Sequence, residues 1–199
     1  MNHEYSQFTV GVLALQGAVS EHLQQIEKLG AKAVAVKNCA QLNEIDAIVL
    51  PGGESTAIGK LMRNSGFIDA IRDFSQQEKP IFGTCAGMIL LAKHIEGGEP
   101  SHLGLMDIVV QRNAFGRQVE SFQASLSVQD WDQPFPAVFI RAPYITRFNE
   151  SAVEKLAEFE GNVVLAKQGH LLACAFHPEL TADLRIMRLF LEMIKSGCR

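Results

Sequence analysis

Short, uniformly apolar segments alternate with amphipathic segments along the first half of the chain. The apolar segments are residues 8–15, 31–36, 45–53 and 79–84. None of them shows the alternation of polar and apolar side chains that is typical of a half-exposed strand. Between them, residues 18–30 carry apolar side chains at helical spacing, and residues 55–77 are predicted to be largely helical. Strands that are apolar on both faces need helices on both faces, so the pattern predicts a mostly parallel sheet in a three-layer α/β fold.

The second half of the chain consists mainly of β-like runs, which we expect to add antiparallel strands to the sheet. We also predict a helix over residues 86–95, and a final helix over residues 181–197 that begins with Thr181 as its N-cap. The helix that follows residue 54 is expected to use Ser55 or Thr56 as its cap. Because the chain shows no internal repeat and no linker, we expect residues 1–199 to form one domain. The β-like runs are residues 105–113, 120–128, 137–143, 161–169 and 170–176.

Composition excludes several classes of function. The 199 residues carry a net charge of −4 and no run rich in lysine or arginine, which argues against a nucleic-acid partner. No apolar stretch is long enough to span a membrane, and the first residues lack the pattern of a secretory signal. The four cysteines include no CxxC pair, which indicates neither a zinc site nor a disulfide framework. We therefore expect a cytoplasmic protein with free thiols and no bound metal.

The sequence FGTCAG, residues 82–87, places Cys85 between two glycines at the end of a predicted strand. This is the G-x-nucleophile-x-G pattern of a nucleophile elbow, in which small neighbours allow a sharp turn from strand to helix. The helix N-terminus that follows would favour a thiolate, and the N–H of Ala86 would face an oxyanion. A tight turn around a buried, inert cysteine explains the motif equally well.

His177 and Glu179 follow another predicted strand, on either side of Pro178. Proline favours extended backbone at the residue before it, and residues i and i+2 of an extended chain point the same way. In a parallel sheet, ligand sites gather at the carboxyl ends of strands, where Cys85 is also expected. A solvated strand end would explain the pair if it stood alone. Together with Cys85, it favours a Cys-His-Glu triad.

Segments from nearly the whole chain resemble one known family. GTCAG and the later FHPE resemble the class I, triad-type glutamine amidotransferases, and a closer resemblance is to the glutaminase subunits of pyridoxal 5′-phosphate synthases. The segments that carry the closer resemblance are LALQGAVSEH (13–22), LPGGEST (50–56), KPIFGTCAGMILLA (79–92), GLMDIVVQRNAFGRQVESF (104–122), FIRAP (139–143) and FHPELT (176–181).

The resemblance implies a reaction and assigns roles to the residues above. Cys85 attacks the side-chain carboxamide of L-glutamine and forms a γ-glutamyl thioester, which water hydrolyses to L-glutamate. His177 takes the thiol proton and later protonates the departing ammonia, while Glu179 orients the imidazolium. The backbone N–H groups of Gly53 and Ala86 form the oxyanion hole. Neither a metal nor an organic cofactor is implied.

The glycine-rich loop PGGES, residues 51–55, is the first candidate for binding the substrate. Its glycines let backbone N–H groups approach a ligand, although a simple helix-entry loop would have a similar sequence. The resemblance implies that Gly53, Glu54 and Ser55 contact glutamine, with Glu54 paired with the α-ammonium group.

Two arginines that adjoin β-like runs are further candidates for the glutamine site. Arg112 follows one run, and Arg141 follows Ile140 in another. A structural ion pair is the simpler explanation for an arginine beside apolar residues. The resemblance places Arg112, Ile140 and Arg141 in the glutamine site, where a guanidinium suits the α-carboxylate. The sequence leaves open which arginine makes that contact.

We expect no second domain that would use ammonia, and therefore expect another protein to accept it. The resemblance implies that this partner is the synthase subunit, a (β/α)₈ barrel that makes pyridoxal 5′-phosphate from ammonia and two sugar phosphates, in a complex of twelve subunits of each kind. We expect docking to activate the glutaminase by reorienting the peptide between Gly52 and Gly53. The residues expected to face the partner are Gln16, Gly17, Glu21 and His22.

Two other functions stay open at this point. One is a cysteine hydrolase that cleaves a different amide, such as a peptidase. The other is a catalytically silent α/β binding module. PGGEST and QRNAFGRQ favour glutamine over other amides, and the presence of all three triad residues argues against a silent module.

Overall fold

The computed structural model describes residues 4–113 and 121–197, which form a ten-stranded sheet, a two-stranded sheet and five α-helices. The strands are β1 (Thr9–Leu13), β2 (Lys32–Val36), β3 (Ala47–Leu50), β4 (Ile81–Thr84), β5 (Ala92–Ile95), β6 (Met106–Gln111), β7 (Ser121–Leu126), β8 (Phe135–Ile140), β9 (Tyr144–Phe148), β10 (Glu154–Phe159), β11 (Asn162–Gln168) and β12 (Leu171–Cys174). The helices are α1 (Val19–Lys28), α2 (Ser55–Asn64), α3 (Phe67–Gln76), α4 (Ala86–Leu91) and α5 (Arg185–Gly197).

The large sheet runs in the order β2-β1-β3-β4-β12-β11-β9-β6-β5, with β10 beside β11. Strands β2, β1, β3, β4 and β12 are parallel to one another, whereas β11 pairs antiparallel with β12 and β9, and β9 pairs antiparallel with β6. The residues of β3, β4 and β12 are buried along their whole length, as strands covered by helices on both faces must be. The predicted α/β class, a mostly parallel sheet with added antiparallel strands, is confirmed.

The two-stranded sheet of β7 and β8 is separate from the large one, although we expected all the later strands to join a single sheet. Aromatic rings connect the two sheets: the ring centroids of Phe139 and Phe176 lie 5.6 Å apart. The backbone N–H of His177 also donates a hydrogen bond of 2.8 Å to the carbonyl oxygen of Val138. These contacts fix the end of β8 above the carboxyl ends of β4 and β12.

The helix predicted over residues 86–95 ends at Leu91, and the prediction beyond that residue is wrong. The chain continues instead as β5, in which Ala92 pairs with Met106 and His94 with Val109. An apolar run of this length is compatible with either conformation, and pairing with β6 decides between them.

The last helix begins at Arg185, so Thr181 is not its N-cap. The carboxylate of Asp183 accepts a hydrogen bond from the backbone N–H of Arg185, while the hydroxyl of Thr181 donates to the carbonyl oxygen of Pro178. Residues Pro178–Leu180 form a 3₁₀ turn that holds Glu179 in place. None of the helices within the described residues is long and apolar enough to cross a membrane.

Candidate active site

Cys85 occupies a strained elbow between β4 and α4. Its backbone has φ +51° and ψ −104°, and its N–H donates a 2.8 Å hydrogen bond to the carbonyl oxygen of Cys174 in β12. A Cβ atom on Gly83 would lie 2.5 Å from the carbonyl of Gly87, and one on Gly87 would lie 2.1 Å from the carbonyl oxygen of Leu50. Both glycines are therefore required by close backbone packing, as a nucleophile elbow demands.

His177 and Glu179 lie side by side at the carboxyl end of β12. Nδ1 of His177 and Oε1 of Glu179 are 2.7 Å apart, and the Glu179 side chain is fully buried. A Cβ atom on Gly52 would lie 2.5 Å from Cε1 of His177 and 3.5 Å from Cβ of Cys85. Gly52 thus contacts both side chains, and the three predicted triad residues are brought together.

The pKa values of His177 and Glu179 are both shifted by their surroundings. Burial lowers the pKa of His177, but hydrogen bonds with Cys85 and Glu179 and the negative charges of both outweigh it and raise the pKa to about 10. Burial raises the pKa of Glu179, whereas the hydrogen bond from His177 and the positive charge of its imidazolium lower it, and the net shift is downward. At neutral pH the pair is therefore an imidazolium beside a carboxylate.

A cavity of about 310 Å³ opens above Cys85, at the lower end of the size range for small-molecule sites. Every residue predicted to bind substrate or oxyanion contributes to its wall. Ala86 begins α4, so its N–H has no acceptor within the helix and is available to a ligand. The lining residues are Gly53, Glu54, Ser55, Cys85, Ala86, Ile89, Arg112, Asn113, Ile140, Arg141, Pro143 and His177.

Glu54 caps α2, so neither Ser55 nor Thr56 is the N-cap that we expected. Its carboxylate accepts hydrogen bonds from the N–H groups of Thr56 and Ala57, at 3.0 and 2.7 Å. Burial raises the pKa of Glu54, but these hydrogen bonds and the charge of Arg112 lower it overall. The Glu54 carboxylate is therefore held as an anion at one wall of the cavity.

The two candidate arginines differ in their partners. Arg112 donates hydrogen bonds to Glu54 at 3.0 Å and to Glu99 at 2.7 Å. Arg141 is exposed at the cavity wall, with φ +40°, and no carboxylate among residues 4–113 and 121–197 forms an ion pair with it. Of the two, Arg141 is thus the arginine whose guanidinium has no carboxylate partner in the part of the chain that the structure describes. The rest of the RNAFGRQ motif, residues 114–118, lies outside the described residues.

The loop of Gln16 and Gly17 contacts the glycine-rich loop directly. The side-chain oxygen of Gln16 accepts a 3.3 Å hydrogen bond from the N–H of Glu54. A Cβ atom on Gly17, which has φ +101°, would lie 1.8 Å from the carbonyl oxygen of Gly52. Sequence reasoning did not find these contacts, because they join segments that are far apart in the chain.

The residues of α1 and of the loop before it that we expected to face a partner differ in their exposure. Gln16 and Gly17 are exposed and Glu21 is half-buried, whereas the side chain of His22 is fully buried. The surface position expected for His22 is therefore wrong. Its Nε2 lies 3.6 Å from Oε2 of Glu179, so the structure adds His22 to the surroundings of the triad.

The other cysteines that the structure describes have local packing roles. The thiol of Cys174 donates to the carbonyl oxygen of Phe176 at 3.2 Å, and burial raises its pKa well above the usual range. The thiol of Cys39 donates to the carbonyl oxygen of Ser65 at 3.4 Å, and burial raises its pKa. Cys198 lies outside the described residues.

Comparisons with known proteins agree on the family and the fold. Residues 12–196 match the model of the SNO glutamine amidotransferase family. The chain is 63% identical to the pyridoxal 5′-phosphate synthase subunit PdxT of Actinobacillus pleuropneumoniae serotype 3 (strain JL03), over 98% of this chain and all of that protein. It is 65% identical to the same subunit of Pasteurella multocida (strain Pm70), over 96% of this chain and 98% of that protein.

Solved structures give the same result for the fold. A crystal structure described as a glutamine amidotransferase superimposes with a TM-score of 0.88 at 48% identity, covering 94% of this chain and 98% of that one. The structure of PurLQS from Thermotoga maritima has a TM-score of 0.63 at 15% identity, covering 95% of each chain. The second likeness bears on the fold alone.

Proposed function

The chain belongs to the SNO glutamine amidotransferase family, and from that premise we propose how its own residues release ammonia from glutamine. Its function is that of a glutaminase subunit in the synthesis of pyridoxal 5′-phosphate. The observation that carries the mechanism is the convergence of Cys85 and His177 on one cavity, with Glu179 2.7 Å behind the imidazole. We take residues 1–199 as one glutaminase domain.

The reaction begins when the Cys85 thiolate attacks the side-chain carbonyl carbon of glutamine, its proton having passed to His177. The tetrahedral oxyanion accepts hydrogen bonds from the N–H groups of Gly53 and Ala86, which stabilise the charge as it forms. His177 then protonates the amide nitrogen, the C–N bond breaks, and ammonia leaves a γ-glutamyl thioester on Cys85. Glu179 keeps the imidazolium oriented throughout.

Hydrolysis of the thioester restores the enzyme. His177, neutral after giving up its proton, takes a proton from a water molecule that attacks the thioester carbonyl. The same two N–H groups stabilise the second oxyanion, and collapse of the intermediate releases glutamate and the Cys85 thiolate. His177 carries the proton of the thiol to ammonia and takes one proton from water, while the other water proton stays on the new γ-carboxyl group, which ionises in solvent. None of the steps needs a metal or an organic cofactor.

The charges at the cavity wall suit the α-amino acid end of glutamine. We assign the substrate's α-carboxylate to Arg141, because Arg112 is already bound between Glu54 and Glu99. Arg112 then acts by fixing Glu54, whose carboxylate faces the α-ammonium group. The half-exposed position of Glu54 leaves room for that contact.

In this proposal the synthase subunit, a (β/α)₈ barrel, accepts the ammonia. The complex contains twelve subunits of each kind, and we place it in the cytoplasm. We propose that the partner docks beside Gln16 and Gly17. Contacts of these residues with Gly52 and Glu54 support this site, because movement of the exposed loop would shift the Gly52–Gly53 peptide and so complete the oxyanion hole.

A covalent-trapping experiment tests the mechanism. The protein, assembled with the synthase subunit, is mixed with glutamine, quenched in acid and digested, and the peptides are examined by mass spectrometry. We expect a glutamyl adduct on the peptide that contains Cys85, and the same adduct in a Cys174→Ala variant. Turnover of glutamine with no adduct on Cys85, or with the adduct on another residue, would overturn the mechanism.

A further inference from the structure

The side chain of His22 lies between the strand that presents the nucleophile and the turn that carries the acid of the triad. Nε2 of His22 is 3.2 Å from the hydroxyl oxygen of Thr84, the residue before Cys85. The same nitrogen is 3.6 Å from Oε2 of Glu179. The side chains of His22 and Glu179 are fully buried, and so is Thr84. One nitrogen of α1 therefore approaches two elements of the active site.

The second carboxylate oxygen of Glu179 has no hydrogen-bond donor among the described residues. Oε1 accepts from His177, but the buried Oε2 accepts from no group in residues 4–113 or 121–197. Leaving a buried carboxylate oxygen without a hydrogen-bond donor costs free energy. A small movement that brings a donor within hydrogen-bond distance is therefore strongly favoured. Nε2 of His22 is the nitrogen that stands beside this oxygen, slightly beyond hydrogen-bond distance.

The surroundings of His22 favour the tautomer with a proton on Nε2. An unprotonated Nε2 would direct its lone pair toward the lone pairs of Glu179, whereas an Nε2–H group is attracted to them. Nδ1 has no hydrogen-bond partner within the described residues, so no acceptor there competes for the proton. In the Nε2–H tautomer the donor lies near both the hydroxyl oxygen of Thr84 and Oε2 of Glu179.

His22 is neutral in these surroundings. Burial lowers its pKa, the charge of His177 lowers it further, and the charges of Glu179 and Glu21 oppose the shift without cancelling it. Among residues 4–113 and 121–197, these three groups are the ionisable neighbours that act on the imidazole. A neutral donor beside Glu179 fixes the carboxylate without cancelling the negative charge that His177 needs.

The helix that carries His22 is attached to the same turn. The amide nitrogen of Gln25, one helical turn later, donates hydrogen bonds to the carbonyl oxygens of Pro178 at 2.8 Å and Thr181 at 3.2 Å. These bonds hold the backbone around Glu179, while His22 faces its carboxylate. A substitution of Gln25 would therefore act on the backbone of the turn, whereas a substitution of His22 would act on the Glu179 carboxylate. Mutations at the two positions can distinguish these effects.

We propose that His22 is a positioning residue of the triad, whose Nε2–H holds Oε2 of Glu179 and, through Glu179, fixes the imidazole of His177. The inference rests on the proposed function, because it takes Glu179 as the partner of His177. His22 touches neither substrate nor reacting atoms. Its effect appears in the rate of proton transfer and in the pH at which His177 loses its proton.

The test measures ammonia release by the full chain assembled with the synthase subunit, over a range of glutamine concentrations and pH. In His22→Leu, which removes the donor, we expect kcat to fall about tenfold, the value of one charge-assisted hydrogen bond. KM for glutamine should change less than about twofold, because His22 does not touch substrate. The alkaline limb of the pH profile should move down by about one pH unit, because a poorly held Glu179 supports the imidazolium less well.

Two further variants separate positioning from folding. His22→Gln places an amide N–H near the position of Nε2 and should restore most of kcat and the alkaline limb. His22→Asn has the same amide on a shorter side chain and should resemble His22→Leu. If His22→Leu does not fold, the comparison of His22→Gln with His22→Asn tests the proposal instead. Gln25→Leu removes buried hydrogen bonds from the same helix, and should lower the melting temperature without moving the alkaline limb.

Unchanged kcat and an unmoved alkaline limb in His22→Leu and His22→Asn would overturn the inference. Equal shifts in His22→Gln and His22→Asn would also overturn it, because the amide would then not replace the imidazole. Failure of the proposed function gives a different result. In that case wild-type protein and Cys85→Ala release ammonia at the same rate, whatever residue stands at position 22.

Discussion

Gly17 packs against the carbonyl oxygen of Gly52 so closely that a Cβ atom at position 17 would lie 1.8 Å from it. The exposed loop after β1 is thus in direct contact with the loop that borders Cys85 and His177. Gln16 adds a hydrogen bond to Glu54 in the same place. The loop of the proposed partner surface and the loop of the proposed oxyanion hole therefore contact each other directly.

Replacement of Gly17 by alanine should displace the glycine-rich loop and lower glutaminase activity by about a hundredfold, the usual cost of one oxyanion donor. The cause is steric, because Gly52 contributes backbone that cannot rotate away as a side chain can. The measurement is ammonia release in the presence of the synthase subunit.

Gly161→Ala is the matched control for this variant. Gly161 also has positive φ, +77°, but a Cβ atom there would meet nothing within 4 Å. We expect it to lose about 1–2 kcal/mol of stability from backbone strain and to keep its activity. Equal activity in the two variants would contradict the role assigned to Gly17.

The pKa of His177, raised to about 10, should depend on Cys85. Cys85→Ala removes a hydrogen bond and a negative charge, so we expect the pKa to fall by at least about one unit. NMR titration of the imidazole in both proteins measures the shift. An unchanged value would mean that the thiol and the imidazole do not interact.

The same pKa predicts how stability depends on pH. Because it lies above the ordinary value of 6.5, protonation of His177 favours the folded state. This contribution is complete below about pH 6.5 and is lost as the pH rises through about 10. Denaturant unfolding of the wild type should therefore show a decline over that interval that is smaller in Cys85→Ala. Parallel curves for the two proteins would contradict this linkage.

Much of the fold and the triad followed from local patterns in the sequence. The apolar runs predicted the parallel strands. The glycines around Cys85 and the spacing of His177 and Glu179 each had a simpler explanation, and it was their combination that favoured a triad. The buried position of His22 was not predictable in this way. It depends on packing against a turn far along the chain, and a helical pattern alone does not show which polar side chain faces inward.

Other differences between prediction and structure have similar causes. Ser55 and Thr56 are residues that commonly cap helices, yet the carboxylate of Glu54 reaches two N–H groups first. The chain after Leu91 turns into β5 because β6 offers it a partner. Strands β9 and β10 were not predicted, since their sequences, YITRF and EKLAEF, mix polar and apolar residues without a strong pattern. Tertiary contacts decide each case.

Arg141 and Arg112 should affect the kinetics differently. Arg141→Gln removes the guanidinium assigned to the substrate carboxylate, so KM for glutamine should rise at least about tenfold with little change in kcat. Arg112→Gln should also lower kcat, because Glu54 and its loop lose their anchor. Steady-state kinetics of both variants in the assembled complex distinguish these effects.

Arg147→Gln serves as the control for the loss of charge. Arg147 is exposed and paired with Glu96, and it does not line the cavity. We expect KM and kcat to stay within about twofold of the wild type. A rise in KM in Arg112→Gln but not in Arg141→Gln would reverse the assignment of the two arginines.

The synthase subunit should activate the glutaminase by about a hundredfold, if docking completes the oxyanion hole. The measurement compares ammonia release by the isolated chain with release by the assembled complex at saturating glutamine. Gly17→Ala should abolish most of this difference. Equal rates with and without the partner in the wild type would contradict activation by docking.

Ammonia release by Cys85→Ala is the most direct test of the central claim, that this cysteine is the nucleophile of a glutaminase. The wild type, the variant and Cys174→Ala are each assembled with the synthase subunit and supplied with glutamine. We predict that Cys85→Ala loses activity by more than about a thousandfold, whereas Cys174→Ala keeps it. Glutamine hydrolysis that survives in Cys85→Ala would contradict the claim.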